Sequence, residues 1–162
     1  MALRHDLRAT LIGLAAVMAD ARDPWWIIAS AAMALHGAPV EVGDVDLLAS
    51  ERDARTLLAR LDIANASAPG TDRFRSAIFA RCDALPVPVE IMADFHVRGP
   101  DGWQPLAPRS RVMIAVEDAR LPVPSVAELI DHCRCFGRPK DAERAALLQR
   151  LAAEWRGRQS PA

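Results

Sequence analysis

A surplus of either charge is missing from this chain: in 162 residues, 20 lysines and arginines stand against 21 aspartates and glutamates, a formal net charge of −1. Such a balance gives no global attraction to a polyanion. Any nucleic-acid contact has to come from a local basic patch, and a dedicated DNA-binding role is disfavoured. Cysteine is also scarce. Cys82, Cys133 and Cys135 are odd in number and lack the paired spacing of a disulfide framework or a zinc ribbon, which points to a reducing cytoplasm. Long apolar runs are absent too: Thr10 to Ala19 is too short to span a bilayer, so neither a signal peptide nor a membrane anchor is expected. There is no internal repeat, low-complexity tract or long linker, which leaves one domain, expected over residues 1–155 with a frayed tail at 156–162.

What is present is an ordinary globular balance, 51% apolar and 25% charged. Leu3, Leu7, Leu11, Leu14 and Met18 recur at helical spacing and predict an amphipathic helix from Leu3 to Asp20. Trp25 to Ala29 reads as a buried strand, and Ser30 as the N-cap of a short helix over Ala31–Leu35 that Gly37 and Pro39 stop. Val42–Ala49 is the next strand, after which Ser50 caps a helix with Leu57, Leu58 and Leu61 inward. Asn65–Asp72 is loop. Two β-like runs, Phe74–Cys82 and Val87–Ala93, flank turn material and predict a hairpin. Arg98–Gly102 reads as a polar excursion before a strand at Arg111–Val116. Ser125 then caps a helix ending at Gly137, and Pro139 opens a last helix with Ala145, Leu148, Leu151 and Trp155 on one face. This order argues a single α/β sheet domain.

The chemistry concentrates in Gly43-Asp44-Val45-Asp46-Leu47. Alternate residues of a strand share a face, so Asp44 and Asp46 project together while Val45 and Leu47 turn into apolar packing. Two carboxylates at one place are unfavourable at neutral pH unless a cation or a shared proton compensates, and an all-oxygen set suits Mg²⁺ or Mn²⁺. Alone, such a pair is more often solvated at a strand edge. The preceding strand, small residue and Ser30 at a helix start place amide donors nearby, an arrangement that suits a triphosphate.

Ile28-Ala29-Ser30, thirteen residues, then Asp44-Val45-Asp46-Leu47 resembles the signature of the nucleotidyltransferase superfamily. The run Ile27–Leu48, with Leu35-His36-Gly37, is similar to a small bacterial branch that includes abortive-infection-type toxin nucleotidyltransferases, a toxin–antitoxin-like association. A weaker match runs from Val123-Pro124-Ser125 to Asp141 and includes the step Arg138-Pro139-Lys140-Asp141. The resemblance implies a mixed β-sheet flanked by helices, with further helices at the C-terminus (α+β). It also implies a third carboxylate on a neighbouring strand, matched by Glu90 in Val89-Glu90-Ile91, where the family more often has Asp. Asp94 is the substitute candidate if the strand persists. Ala29 stands where the family usually has glycine, whose freedom to adopt positive φ a methyl group restricts.

The implied activity is Mg²⁺- or Mn²⁺-dependent transfer of a nucleoside monophosphate from a nucleoside triphosphate to an acceptor hydroxyl. In it Asp44, Asp46 and Glu90 are the catalytic and metal-binding residues, and Ala29, Ser30, Arg138 and Lys140 form the nucleotide-binding set. The alternative is a catalytically degenerate protein of the same fold serving as a nucleotide-binding or protein-interaction module. The acceptor is left open between a small molecule, a tRNA end and a protein. Lys140 is the only lysine. His36 reads as structural, His132, Cys133 and Cys135 as a helical run with buried thiols rather than a zinc site, and Trp25 and Trp26 as core.

Overall fold

The computed structural model describes residues 3–64 and 70–159, with the side chains of 158 and 159 left aside. The elements are α1 (His5–Val17), β1 (Trp26–Ile28), α2 (Ala29–Leu35), β2 (Val45–Leu48), α3 (Glu51–Arg60), β3 (Phe74–Arg75), β4 (Ile78–Cys82), β5 (Val89–Ala93), β6 (His96–Gly99), β7 (Gly102–Pro105), β8 (Val112–Val116), β9 (Ala119–Val123), α4 (Val126–Phe136) and α5 (Pro139–Gln159).

The central sheet has the order β1-β2-β5-β4 and is mixed: β2 runs parallel to β5, and the outer pairs are antiparallel. Strand alternation sorts its side chains into two layers. Ile27, Val45, Leu47, Val89 and Ile91 point to one side, into the main core, together with Leu7, Leu11 and Leu14 of α1, Leu57 and Leu58 of α3, Leu129 of α4 and Leu148 of α5. Ile28, Leu48 and Met92 point to the other side, into a smaller cluster with Phe95, Val97, Leu106 and Phe136. Asp46 and Glu90, in register with Ile28, lie on that second, less heavily covered face.

Local signals account for most of the element boundaries. The Ser50 and Ser125 hydroxyls accept from the amides of Asp53 and Glu128, which places both caps as expected. Gly137 takes φ 65° to end α4, a conformation that costs glycine little. The anticipated hairpin is β4–β5, with Cys82 opposite Val89.

Other boundaries differ. The run Phe74–Cys82 breaks at Ser76-Ala77 into two strands of different sheets, because β3 pairs with β6 while β4 pairs with β5. The polar excursion at Arg98–Gly102 is the turn of a hairpin, β6–β7, and β9 pairs with β8 where no strand is expected. Ser30 does not cap α2. The helix begins at Ala29, Ile28 occupies the cap position and no side chain bonds there. The last helix continues to Gln159, past the expected end at residue 155. Of the expected loop at 65–72, residues 65–69 lie outside the described residues. Among the described residues, no helix is long and apolar enough to cross a membrane.

Candidate active site

Sheet register builds the acidic centre. Asp46 on β2 lies opposite Ile28 on one side and Glu90 of β5 on the other, and Glu90 in turn lies opposite Arg81 of β4. Asp44 sits just ahead of β2, two residues from Asp46 and on its side of the chain. All three acids line one cavity of about 340 Å³. Asp94 does not join them. β5 ends at Ala93, Asp94 turns off at φ 51° and its carboxylate lies 3.7 Å from His96, so the substitute third acid is ruled out by the end of the strand.

The acids are electrostatically uncomfortable. Withdrawal from water, then the charges of Asp44 and Glu90, push the Asp46 carboxyl up to about 7, with Arg138 and Arg144 pulling partly the other way. Glu90 is also raised, chiefly by withdrawal from water and then by Asp44, although Arg81 approaches it at 3.3 Å and opposes the shift. No hydrogen bond reaches the Asp46 carboxylate from a described residue. Among the described residues, no three His, Cys, Asp or Glu side chains stand in a metal-ligand arrangement, and Glu90 bonds Arg81. The donor chemistry still fits a hard divalent cation. Mg²⁺ is commonly held by one or two carboxylates together with substrate phosphates, and an unsatisfied carboxylate pair is the kind of charge it compensates.

The opposite wall is cationic. Arg138, Lys140 and Arg144 at the start of α5, and Arg75 of β3, line the same cavity. Arg138 is fixed from below: its Nε and Nη2 donate to Asp141 at 2.6 and 3.0 Å, and its backbone N–H donates to the same carboxylate at 3.1 Å. Asp141 is fully buried and also lies 3.8 Å from Arg144. The Arg138 guanidinium rests over Phe74 and Phe136, 5.1 and 5.4 Å from the ring centroids. Phe74, Phe95 and Phe136 pack on one another and, with Phe79 and Met92, give the cavity an apolar floor.

Ser30 and Ala29 line the cavity too, and Ser30 is 5% exposed with no hydrogen bond from its hydroxyl to a described residue. Ala29 adopts φ 52°, the left-handed conformation that favours glycine, so the backbone here has the shape a glycine would take.

Asp44, Asp46, Glu90, Ala29, Ser30, Arg138 and Lys140, singled out from the sequence, therefore line one cavity, and Asp94 does not. Arg75, Arg144 and the phenylalanine floor line the same cavity, and Asp141 anchors Arg138 beside it, without having been anticipated from the sequence. Asp141 had a readable signal, an acid three residues after the residue that precedes the helix, which is half of a capping box. The phenylalanines had none, being scattered from residue 74 to residue 136.

The remaining residues sort as structural. His36 Nε2 lies 2.8 Å from the Pro124 carbonyl, and burial lowers the pKa of its ring. Cys82 and Cys133 are buried, and burial pushes the Cys133 thiol up to about 11, but Cys135 is exposed rather than buried because it lies on the outer side of α4. Trp25 is core; Trp26 is half-buried and donates to the Ser110 carbonyl at 2.9 Å.

No protein-family model matches the chain, and no curated protein matches it by sequence. Solved structures do. A Thermotoga maritima protein assigned as a nucleotidyltransferase superposes with a TM-score of 0.66 at 23% identity, over 88% of this chain and 89% of that one. The antibiotic-resistance factor ANT(2'')-Ia superposes at 0.50 and 12% identity, over 93% of this chain and 92% of that one. The chain thus has the nucleotidyltransferase fold over nearly its whole length.

Proposed function

We propose that the chain is a nucleotidyltransferase that moves a nucleoside monophosphate from a nucleoside triphosphate to an acceptor hydroxyl. The observation that carries this reading is the pairing of Asp46 with Glu90, beside Asp44, in a cavity whose other wall is Arg138, Lys140 and Arg144. The fold of the superposed structures supports it. The narrower placement beside the abortive-infection-type branch rests on the motif run Ile27–Leu48 alone.

Asp44 and Asp46 would hold Mg²⁺ or Mn²⁺, with Glu90 completing the set, and the ion would neutralise phosphate charge and align the attack. Arg138, Lys140 and Arg144 bind the triphosphate oxygens, and Ser30 offers its hydroxyl at the same wall. The acceptor oxygen attacks the α-phosphorus, the bond from that phosphorus to the bridging oxygen breaks, and pyrophosphate leaves with the electron pair. The acceptor's proton passes to the Glu90 carboxylate, which is released from Arg81 as it turns inward. Asp141 keeps Arg138 aimed into the cavity throughout.

The Glu90–Arg81 pair and the methyl group that Ala29 adds to the cavity wall favour a second reading, a degenerate protein that binds nucleotide without turning it over. Incubation with labelled triphosphates and Mg²⁺ separates the two. Metal-dependent pyrophosphate release, lost in Asp44→Asn and Asp46→Asn, is expected from the first. Nucleotide binding that is indifferent to metal, with no pyrophosphate, sinks it in favour of the second. Release of inorganic phosphate instead would make the site a phosphohydrolase.

A further inference from the structure

The three-stranded sheet β3-β6-β7 has one covered and one open side. Phe74 and Val97 pack inward on the smaller apolar cluster. Their strand neighbours Arg75 and Arg98 point outward and are exposed. Arg98 lies in register opposite Trp103 of β7, and both guanidiniums rest on the Trp103 ring, Arg75 at 4.7 Å and Arg98 at 5.8 Å from its centroid. Arg75 also lines the cavity. An arginine–tryptophan–arginine row therefore begins at the mouth of the candidate active site and leads away from it along an open sheet face. Asp101 sits at a strand end, and Asp94, also at a strand end, holds its carboxylate 3.7 Å from His96, the register partner of Arg75.

We propose that this face binds single-stranded nucleic acid, with unpaired bases stacking on Trp103 and the two guanidinium planes and with phosphates paired to the arginines. Positive charge interleaved with an aromatic ring suits a flexible anionic strand whose bases are free. It suits a duplex poorly, because paired bases present no face to the ring. In a chain of net charge −1, such a local patch is the only kind of surface that can attract a polyanion. Resting on the proposed transferase reading, the terminal hydroxyl of the strand becomes the acceptor. Its oxygen forms a phosphodiester with the α-phosphorus, pyrophosphate leaves, and the strand grows by one nucleotide while its proton passes to Glu90.

The test is fluorescence anisotropy of a labelled single strand of about 12 nucleotides, a length within the range such surfaces cover. RNA, DNA of the same sequence and an RNA duplex are each titrated with the full chain, without triphosphate or divalent metal, at several salt concentrations. Single strands are expected to bind, with any preference between RNA and DNA naming the natural strand. Trp103→Ala should weaken binding about tenfold, and Trp103→Phe, which keeps a stacking ring, should restore most of it. Arg98→Gln should lower the salt slope by about 0.7, and this variant keeps the test alive if Trp103→Ala fails to fold.

Duplex bound as tightly as single strand, single strands not bound, or binding indifferent to both Trp103→Ala and Arg98→Gln would each overturn the proposal. Because these titrations contain no triphosphate, they stand apart from the transfer reaction. A chain that binds the strand but never lengthens it loses the transferase reading and keeps the surface; a chain that modifies another acceptor and ignores the strand loses only the surface.

Discussion

Asp53 at the start of α3 and Asp46 in the cavity are both withdrawn from water, yet their surroundings are opposite. Asp53 is 6% exposed and accepts from the amides of Asp23, at 2.8 Å, and Arg22, at 3.1 and 3.2 Å. Withdrawal from water pulls its pKa upward, but the Asp23 and Arg22 amides and Ser50 outweigh that and bring it below the usual carboxylate value. Asp46 has no such donors and faces two like charges, so its pKa goes the other way, to about 7. A buried acid furnished with donors holds the fold together. One left without donors beside other acids works against the fold, and the arrangement makes sense where a cationic ligand or a proton in flight supplies what the protein withholds.

The sharpest way to break that contrast is Asp46→Asn. Transfer should fall by roughly 10³-fold, the scale of losing a principal electrostatic contact in a reaction centre. Stability should move oppositely. The Asp46 carboxyl loses its proton near 3.8 when unfolded and near 7 when folded, so between these values the unfolded chain binds fewer protons and stability falls as pH rises. The full penalty, at most about 4 kcal/mol, is reached above pH 7. Thermal melts should therefore show Asp46→Asn more stable than the parent at pH 8, with the gap closing toward pH 4; an equal or lower Tm at pH 8 removes the claim that this acid opposes folding.

Asp53→Ala tests the other half. Losing the amide contacts should cost about 2 kcal/mol, a Tm drop of roughly 4–8 °C, with transfer retained in the folded fraction. The pH dependence has the opposite sign here. With the folded pKa depressed, the stabilisation is present above the ordinary value of 3.8 and disappears as pH falls below it. The parent and Asp53→Ala melting curves should then converge in acid, whereas a constant difference down to pH 2 points to packing instead.

Asp141 combines both roles, being a fully buried and well-bonded acid whose partner, Arg138, lines the cavity. Asp141→Asn should raise KM for the triphosphate about tenfold with a smaller change in kcat, the size of one charge-assisted contact set loose. A purely structural role would lower the amount of folded protein and leave KM where it was.

What was legible beforehand follows the range of the interactions. Asp44, Asp46 and Glu90 each announce themselves within a few residues, because an acid in a Val- and Leu-rich strand breaks a short-range pattern, and the serine caps at 50 and 125 are equally local. The β6–β7 hairpin was hidden because its strands are short and only Val97 along them is buried, so it reads as a polar loop until β3 pairs beside it. The break between β3 and β4 likewise comes from tertiary pairing, not from composition. Ser30 misled for a related reason. Its residue type suits a cap, but the left-handed turn at Ala29 starts the helix two residues early and leaves the serine lining the cavity.

That turn sets the smallest and most discriminating effect. A non-glycine residue held at φ 52° is strained by about 1 kcal/mol, and Ala29→Gly should recover about that much, visible as a Tm rise of roughly 2–4 °C. Glycine loses more backbone freedom on folding, which trims the gain but does not reverse it where the conformation is already left-handed. The same substitution removes a methyl group from the wall shared with Ser30 and lets a phosphate approach the backbone more closely. If the site is a working transferase, Ala29→Gly should lower KM for the triphosphate by a few-fold. A stabilised protein with unchanged nucleotide affinity would mean that the wall at Ala29 does not meet phosphate, and the triphosphate would then have to lie against Arg138, Lys140 and Arg144 alone.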